Sequence, residues 1–280
     1  MTLIAAFRCE IDNEPGVIVC ADSQETIGEY RTTVDKIIPR IAGHYDLVIG
    51  GAGIGNIIDG LVNSIERDVR HWDAGKSEDI ARQLLANILA DYIENVVRLY
   101  ETTDPNDRRV DSIVCLRDRK SGAVYLWKSA GPVIEAVTDF RLVGADIALY
   151  QYEVKRLYMP ESDALSTIVL AVHLLSIAKA TSNNIEEPFK VIGVGRNGVW
   201  IEPAKKITLL TQRITQVNNM LGRLLRDVPN FTLSDETFAN ALDLFLGEVF
   251  GLRNDVAQFK LSHSPIMQAM MGTTQKDRSQ

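Results

Sequence analysis

The sequence predicts a layered α+β fold: antiparallel sheets covered on their outer sides by helices, with a helical appendage at the C-terminus. Three observations carry this. Apolar, β-rich runs come in pairs around turn chemistry, which is the pattern of hairpins and so of antiparallel sheets. Helical periodicities also arrive in pairs, between groups of strands, as expected for helical layers outside a sheet core. After Pro203 strand signals cease and only helical pattern remains.

The elements follow in order. Thr2–Ile11 and Val17–Ala21 are apolar runs around Asp12-Asn13-Glu14-Pro15-Gly16, a turn sequence. Ser23–Asp35 reads as a polar loop, and Lys36–Ile41 and Asp46–Ile49 as short strands. The glycine turn Gly50-Gly51-Ala52-Gly53-Ile54-Gly55 leads into a helix over Asn56–Trp72. Ser77 is placed to cap the next helix, with Glu78 and Asp79 in its first turn. Its apolar face is read as Ile80, Leu84, Leu85, Ile88, Leu89, Tyr92, Ile93, Val96 and Val97. Asp111–Arg117 and Ala123–Lys128 form a hairpin around Asp118–Gly122, and Pro132–Val143 reads as a third run. A helix follows Gly144-Ala145-Asp146, and Ser162 is expected to cap a strongly apolar helix reaching about Ala180. Phe189–Val194 and Val199–Glu202 close the strand pattern around Arg196-Asn197-Gly198. Lys205–Arg226 and Ser234–Phe250 read as two final helices. The expected domains are therefore residues 1–203, a helical extension at 204–271 and a disordered polar tail at 272–280.

Composition excludes several function classes. At 280 residues, 46% hydrophobic and 24% charged, the chain is ordinary globular material. A net charge of -7 argues against a nucleic-acid partner, which needs a basic face. Cys9, Cys20 and Cys115 are odd in number and lack C-x-x-C spacing, which fits neither a disulfide framework nor a zinc site and suits a reducing cytoplasm. No signal peptide is expected, since Arg8 and Glu10 break the first apolar run; Leu165–Ala178 is expected to be too short for a membrane span. No metal or cofactor is expected. The four histidines, His44, His71, His173 and His263, are scattered, and His173 reads as a core residue. Gly193-Val194-Gly195-Arg196-Asn197-Gly198 spells G-x-G-x-x-G but is followed by strand, so it is a hairpin rather than a dinucleotide site.

Chemistry points to the start of the chain. Met1 precedes a small residue and is expected to be clipped, leaving Thr2 with a free α-amine beside its own hydroxyl. A hydroxyl is a weak nucleophile until a base takes its proton, and an N-terminal amine is such a base. An ordinary α-amine titrates near ~7.7–8.0, close to the pH at which a general base works best. Asp22, after the second apolar run, is a partner for Lys36, because a buried lysine requires a carboxylate.

These residues resemble the proteasome β-subunit family and its bacterial relatives, within the N-terminal-nucleophile (Ntn) hydrolases. The resemblance rests on Thr2 opening the first strand, on Gly16-Val17-Ile18-Val19-Cys20-Ala21-Asp22-Ser23, on Lys36-Ile37-Ile38 and on Ile49-Gly50-Gly51-Ala52-Gly53. It covers roughly residues 2–202 and implies a four-layer αββα sandwich of two antiparallel sheets. It also implies a threonine-type peptidase, with Thr2 as nucleophile, Lys36 stabilising charge, Asp22 holding Lys36, and the Gly53 N–H as oxyanion donor, Gly51 being the fallback. The Glu10–Pro15 loop is longer than usual for the family, and the serine expected near Gly144 is missing. Asp146 is the substitute for that serine, and Ser182 the candidate for a later residue assisting the amine. Activation would need only removal of Met1. The implied partners are a peptide or amide substrate and further copies of the chain, in a ring if the family's assembly is kept; the sequence does not indicate an ATPase partner. Two other readings stand beside this one: a non-catalytic assembly or scaffold subunit, with Leu242, Phe245, Leu246 and Phe250 offering an apolar face, and a small-molecule Ntn amidase.

Overall fold

The computed structural model describes residues 2–27, 30–99, 110–144, 147–183, 185–230 and 232–262, without the side chains of 25–27, 30–32 and 259–262. The chain forms two compact units, Met1–Ile207 and Thr208–Gln280.

The first unit is an α+β sandwich of two five-stranded antiparallel sheets. Its strands are β1 (Leu3–Ile11), β2 (Glu14–Ala21), β3 (Gln24–Ile27), β4 (Tyr30–Thr33), β5 (Ile37–Ala42), β6 (Tyr45–Ala52), β7 (Asp111–Asp118), β8 (Val124–Ala130), β9 (Val133–Ala136), β10 (Phe140–Gly144), β11 (Lys190–Gly195) and β12 (Gly198–Ile201). Sheet 1 has the order β10-β1-β2-β11-β12 and sheet 2 the order β5-β6-β7-β8-β9. The helices are α1 (Gly55–Val69), α2 (Glu78–Tyr92), α3 (Ile147–Leu157) and α4 (Ala164–Thr181), and α2 runs into a π-helical turn at Ile93–Val97.

Strand alternation explains the layers. Ile4, Ala6, Val17, Val19 and Ala21 of sheet 1 meet Ile37, Val48, Ile113 and Cys115 of sheet 2 in one apolar core between the sheets. The alternate residues of sheet 2, such as Leu47, Ile49, Val114 and Leu116, pack with Leu61, Ile65 and Leu85 of α1 and α2. The outward residues of sheet 1 (Leu3, Ala5, Phe7, Ile18 and Cys20) are fully buried too, on the side where α4 packs over β1 and β2. Both faces of each sheet are therefore covered, which is why these strands read as continuous apolar runs. Each fully buried Leu or Ile contributes roughly 1.5–3 kcal/mol.

Several expectations are corrected here. Ser23–Asp35 is not a plain loop, since β3 and β4 pair within it as a separate hairpin. The β1–β2 connection is tight rather than long: Asp12 and Asn13, at φ 54° and 61°, form a two-residue turn with Ile11 paired to Glu14, and positive φ at both positions is what a type I′ hairpin requires. The third run splits, with β9 pairing in sheet 2 and β10 in sheet 1. The chain changes sheets around buried Val137, whose N–H donates to the Leu126 carbonyl at 2.9 Å. Asp163, not Ser162, caps α4, its Oδ1 accepting from the Ser166 N–H at 2.7 Å. The helix reaches 18 residues and is, among the described residues, the one long and apolar enough to cross a membrane by length and composition. It is nonetheless a packed helix, with Ile168, Ala171, Val172 and Leu175 buried; a core helix satisfies the same length and hydropathy criteria.

The second unit is helical. It contains most of α5 (Ala204–Asp227) and all of α6 (Asp235–Ser262), which starts on Ser234, whose Oγ accepts from the Thr237 N–H at 3.2 Å. Arg213 of α5 reaches Asp255 at 2.9 Å and Glu248 at 3.3 Å, so the helices form an antiparallel hairpin. Leu242, Leu246 and Phe250 of α6 are exposed. The expected tail, residues 272–280, lies outside the described residues, as does His263.

Candidate functional site

The sandwich has two ends, and the residues singled out above gather at one of them. β1 starts here, β2 and β6 end here, and β5, β7 and β11 begin here. Thr2 is half-buried immediately ahead of β1. It shares the parity of Ile4 and Ala6, which face the core between the sheets. Gly144 faces the backbone of Thr2 from the end of β10: at φ +125°, a Cβ there would lie 1.7 Å from the Thr2 carbonyl oxygen. Glycine alone meets both demands, the positive φ and the close approach.

Asp22 follows the last residue of β2 and is 1% exposed. Its carboxylate has three donors. Oδ1 accepts the Leu3 N–H at 2.9 Å, while Oδ2 accepts the Gln24 N–H at 3.1 Å and the Lys36 ammonium at 2.7 Å. Lys36 sits in the bend just before β5, with its side chain 7% exposed. The expected pair therefore forms, in a largely dry setting where charge-assisted hydrogen bonds are strong. The carboxylate also grips the amide that directly follows Thr2, so one side chain fixes the lysine and the first strand together.

Gly53 follows β6 at φ +151°, a conformation L side chains rarely adopt, and leads through Ile54 into α1. Gly51 lies inside β6, paired with Ser112, and its Cα faces Ile58 of α1. Ser182 is at the C-terminal end of α4, its N–H bonded to the Ala178 carbonyl at 2.9 Å. The segment after it returns to the site end, where the Glu186 carbonyl accepts the Ser23 N–H at 3.3 Å. Asp146 lies outside the described residues.

One pair was missed by sequence reasoning. Lys190, the first residue of β11, contacts Asp35 at 3.0 Å. It shares the parity of Ile192 and Val194 in the inter-sheet core, a placement that the all-apolar run following it in β11 does not signal. The cysteines take no part in this chemistry. Burial pushes the Cys20 and Cys115 thiols up to about 12, and Cys9 likewise despite a hydrogen bond with Thr167, so all three are inert at neutral pH. Burial also lowers the pKa of His173 on α4, with Glu153 opposing the shift.

No family model and no curated protein matches this sequence. Solved structures do match its fold. Anbu (ancestral beta-subunit) from Yersinia bercovieri superposes with a TM-score of 0.64 at 13% identity, covering 81% of this chain and 98% of that one. The Anbu complex from Pseudomonas aeruginosa, solved as a helical assembly, gives 0.62 at 15% identity over 79% and 96%. Anbu from Hyphomicrobium sp. strain MC1 gives 0.61 at 13% over 79% and 97%. These neighbours correct the resemblance read from the sequence. They are Anbu proteins, whose proteasome-like Ntn fold is distinct from the proteasome β-subunit family to which the motifs were compared. At these identities the likeness shows the fold, an α+β Ntn-type sandwich with helices at its C-terminus.

Proposed function

We propose that this chain is an Ntn-type threonine hydrolase acting on peptide or other amide bonds. The observation that carries the reading is the Asp22 carboxylate, which holds Lys36 and the Leu3 amide at once, beside Thr2. After removal of Met1, the Thr2 Oγ attacks the amide carbonyl carbon and its proton passes to the Thr2 α-amine. The Gly53 N–H takes the oxyanion, a kind of contact whose loss typically costs ~10²–10³ in rate. The Lys36 ammonium favours a neutral amine and stabilises the developing alkoxide. The C–N bond then breaks, the leaving amine takes the proton, and water hydrolyses the ester left on Thr2. Ser182 and Asp146 are proposed to support the amine. Residues 1–203 form the hydrolase domain and the following helices an extension to it. The helical assembly of the Pseudomonas neighbour supports self-association, and three free thiols support a cytoplasmic setting.

Intact-mass spectrometry before and after a β-lactone or epoxyketone probe tests this. Loss of Met1 and a single adduct on Thr2, absent from a folded Thr2→Ala variant, is the expected result. Retained Met1 would overturn it, because the amine would stay acylated. The second reading, a non-catalytic assembling subunit, is favoured by one observation: Leu242, Leu246 and Phe250 lie exposed along one stripe of α6.

A further inference from the structure

Two ion pairs cross between the sheets at the Thr2 end, and they are neighbours on both sides. Asp22 follows Ala21 at the end of β2, and Lys190 is paired in register with Ala21 from β11. Their partners, Lys36 and Asp35, are consecutive residues ahead of β5. The signs are reversed between the pairs: sheet 1 supplies the carboxylate to Lys36 and the ammonium to Asp35. The two-residue segment that opens β5 is thus pinned to the opposite sheet twice, with opposite charges side by side.

The pairs differ in burial. Lys36 and Asp22 are 7% and 0% exposed, whereas Lys190 is 20% exposed and Asp35 is 64% exposed. An ion pair as open as the second contributes little stability by itself. Its consequence is electrostatic and positional. Asp35 is the carboxylate adjacent in sequence to Lys36, and an uncompensated carboxylate there would favour the charged form of the lysine and compete with Asp22 for it. Among the described side chains, the other charged residues at this end are Asp111 at the start of β7, Lys128 on β8 with Glu135 opposite on β9, and Glu186 and Glu187 ahead of β11, with Lys179 of α4 on Glu187; Glu25, Glu29 and Arg31, between Asp22 and Asp35 in sequence, lie outside the described side chains. Among the ion pairs of the described residues, none of these reaches Asp35, and Lys190 does.

We propose that Lys190 is a positioning residue for Lys36: it holds Asp35, so that Lys36 stays on Asp22. The role in turnover rests on the hydrolase reading above, but the electrostatic claim does not, and the two are separable by experiment. The full chain is labelled with ¹³Cε-lysine, the Lys36 signal is assigned with Lys36→Arg, and its titration is followed by NMR. In parallel, the rate of β-lactone adduct formation on Thr2 is measured against pH.

In Lys190→Met the Lys36 midpoint moves to higher pH, and the adduct rate at neutral pH falls about threefold because the uncompensated Asp35 carboxylate also favours the protonated Thr2 amine by roughly half a pKa unit. In Asp35→Asn the midpoint moves the other way, because Lys190 is left uncompensated. The double variant returns towards wild type, and Lys190→Arg, which keeps the charge, behaves as wild type. A general loosening of the fold would not produce opposite shifts that cancel. A Lys36 midpoint unmoved in both single variants, or moved in the same direction by both, overturns the proposal. A wild-type chain that never forms the Thr2 adduct overturns the hydrolase reading instead, and the Lys36 titration still decides the role of Lys190.

Discussion

The two ends of the sandwich handle charge in different ways. At the end remote from Thr2, the cross-sheet links are arginines on backbone carbonyls. Arg8 of β1 donates to the Val124 and Val137 carbonyls at 3.0 Å each, tying sheet 1 to sheet 2. Arg117 of β7 donates through Nε and Nη2 to the Arg196 carbonyl in the β11–β12 turn, at 2.9 and 2.6 Å, and pairs with Asp46. Asp118 takes the Gly75 and Lys120 N–H groups at 2.7 and 2.8 Å. At the Thr2 end the cross-sheet links are lysine–carboxylate pairs. A guanidinium spread over two carbonyls is a fastening, because its donors point in fixed directions. A lysine ammonium on a buried carboxylate is a compact charge whose strength depends on its surroundings, which is the property a reaction centre needs.

The comparison is broken most severely at Asp22. Asp22→Asn leaves the Lys36 ammonium, 7% exposed, without its carboxylate. Removing one partner of a buried pair typically costs about 3–5 kcal/mol. The expected outcome is a loss of that size in urea-unfolding free energy, together with loss of Thr2 adduct formation. A fully active variant of unchanged stability would mean that the pair is an ordinary surface contact. Gly144→Ala comes next. The added Cβ collides with the Thr2 carbonyl oxygen and the residue must hold φ +125°; backbone strain of this kind costs about 1–3 kcal/mol before the clash is counted. Thr2 must shift, so adduct formation should fall much further than thermal stability. Equal losses in both would show that Gly144 serves the fold alone.

How much of this was readable in advance follows from the same geometry. The pairing of Asp22 with Lys36 was legible through the order of Thr2, Asp22, Lys36 and the glycine turn that the family resemblance supplies; taken alone, an aspartate and a lysine in a chain rich in both charges read as an ordinary surface pair. The layered α+β order was legible from hairpins and paired helices, and the two-sheet sandwich from the family resemblance, while strands covered on both faces left long apolar runs. The same double burial hid Lys190: at the first position of β11, one polar residue before an all-apolar stretch does not reveal which face it takes. The β3–β4 hairpin was hidden because Gln24-Glu25-Thr26-Ile27 and Tyr30-Arg31-Thr32-Thr33 carry hardly any apolar alternation. The sheet change between β9 and β10 was read as one run because Val137 at the corner is as apolar as the strands it joins. The cap of α4 was placed one residue early, at Ser162 instead of Asp163, for a related reason: a helix apolar on all sides gives no periodic edge from which to count.

A smaller effect, with a defined pH signature, is expected at the remote end from Asp118. Burial raises its pKa, but hydrogen bonds from the Lys120 N–H, from Ser121 and from the Gly75 N–H outweigh that and hold it below the ordinary carboxylate value. A folded-state pKa below the unfolded one stabilises the fold above the unfolded value, and that stability is lost as pH falls through the folded one. Asp118→Asn should therefore cost about 1–2 kcal/mol at pH 7, as for a hydrogen-bonded charged group. The difference from wild type should shrink below about pH 4, where an unfolded aspartate begins to take up its proton. A cost independent of pH would assign the effect to packing rather than charge. Thr2 adduct formation at neutral pH should be untouched, since the carboxylate acts on the turn that joins β7 to β8.

The smallest effect sharpens the contrast between the ends. Arg117→Lys keeps the positive charge near Asp46 but gives up the forked contact with the Arg196 carbonyl. A lysine can meet one acceptor as a point charge but cannot reproduce two parallel donors. The expected loss is about 0.5–1.5 kcal/mol, the value of an ordinary hydrogen bond, with no change in the pH profile of Thr2 labelling. The matching exchange at the other end, Lys36→Arg, should behave in the opposite way. Charge and ion pair are retained, so stability changes little, but a planar guanidinium cannot present the compact ammonium beside Thr2, and labelling should fall far more than stability. If both Arg–Lys exchanges alter stability and labelling in the same proportion, the two ends do not differ in kind. If they separate as stated, the remote end holds the sheets together while the Thr2 end uses the same cross-sheet charge for chemistry.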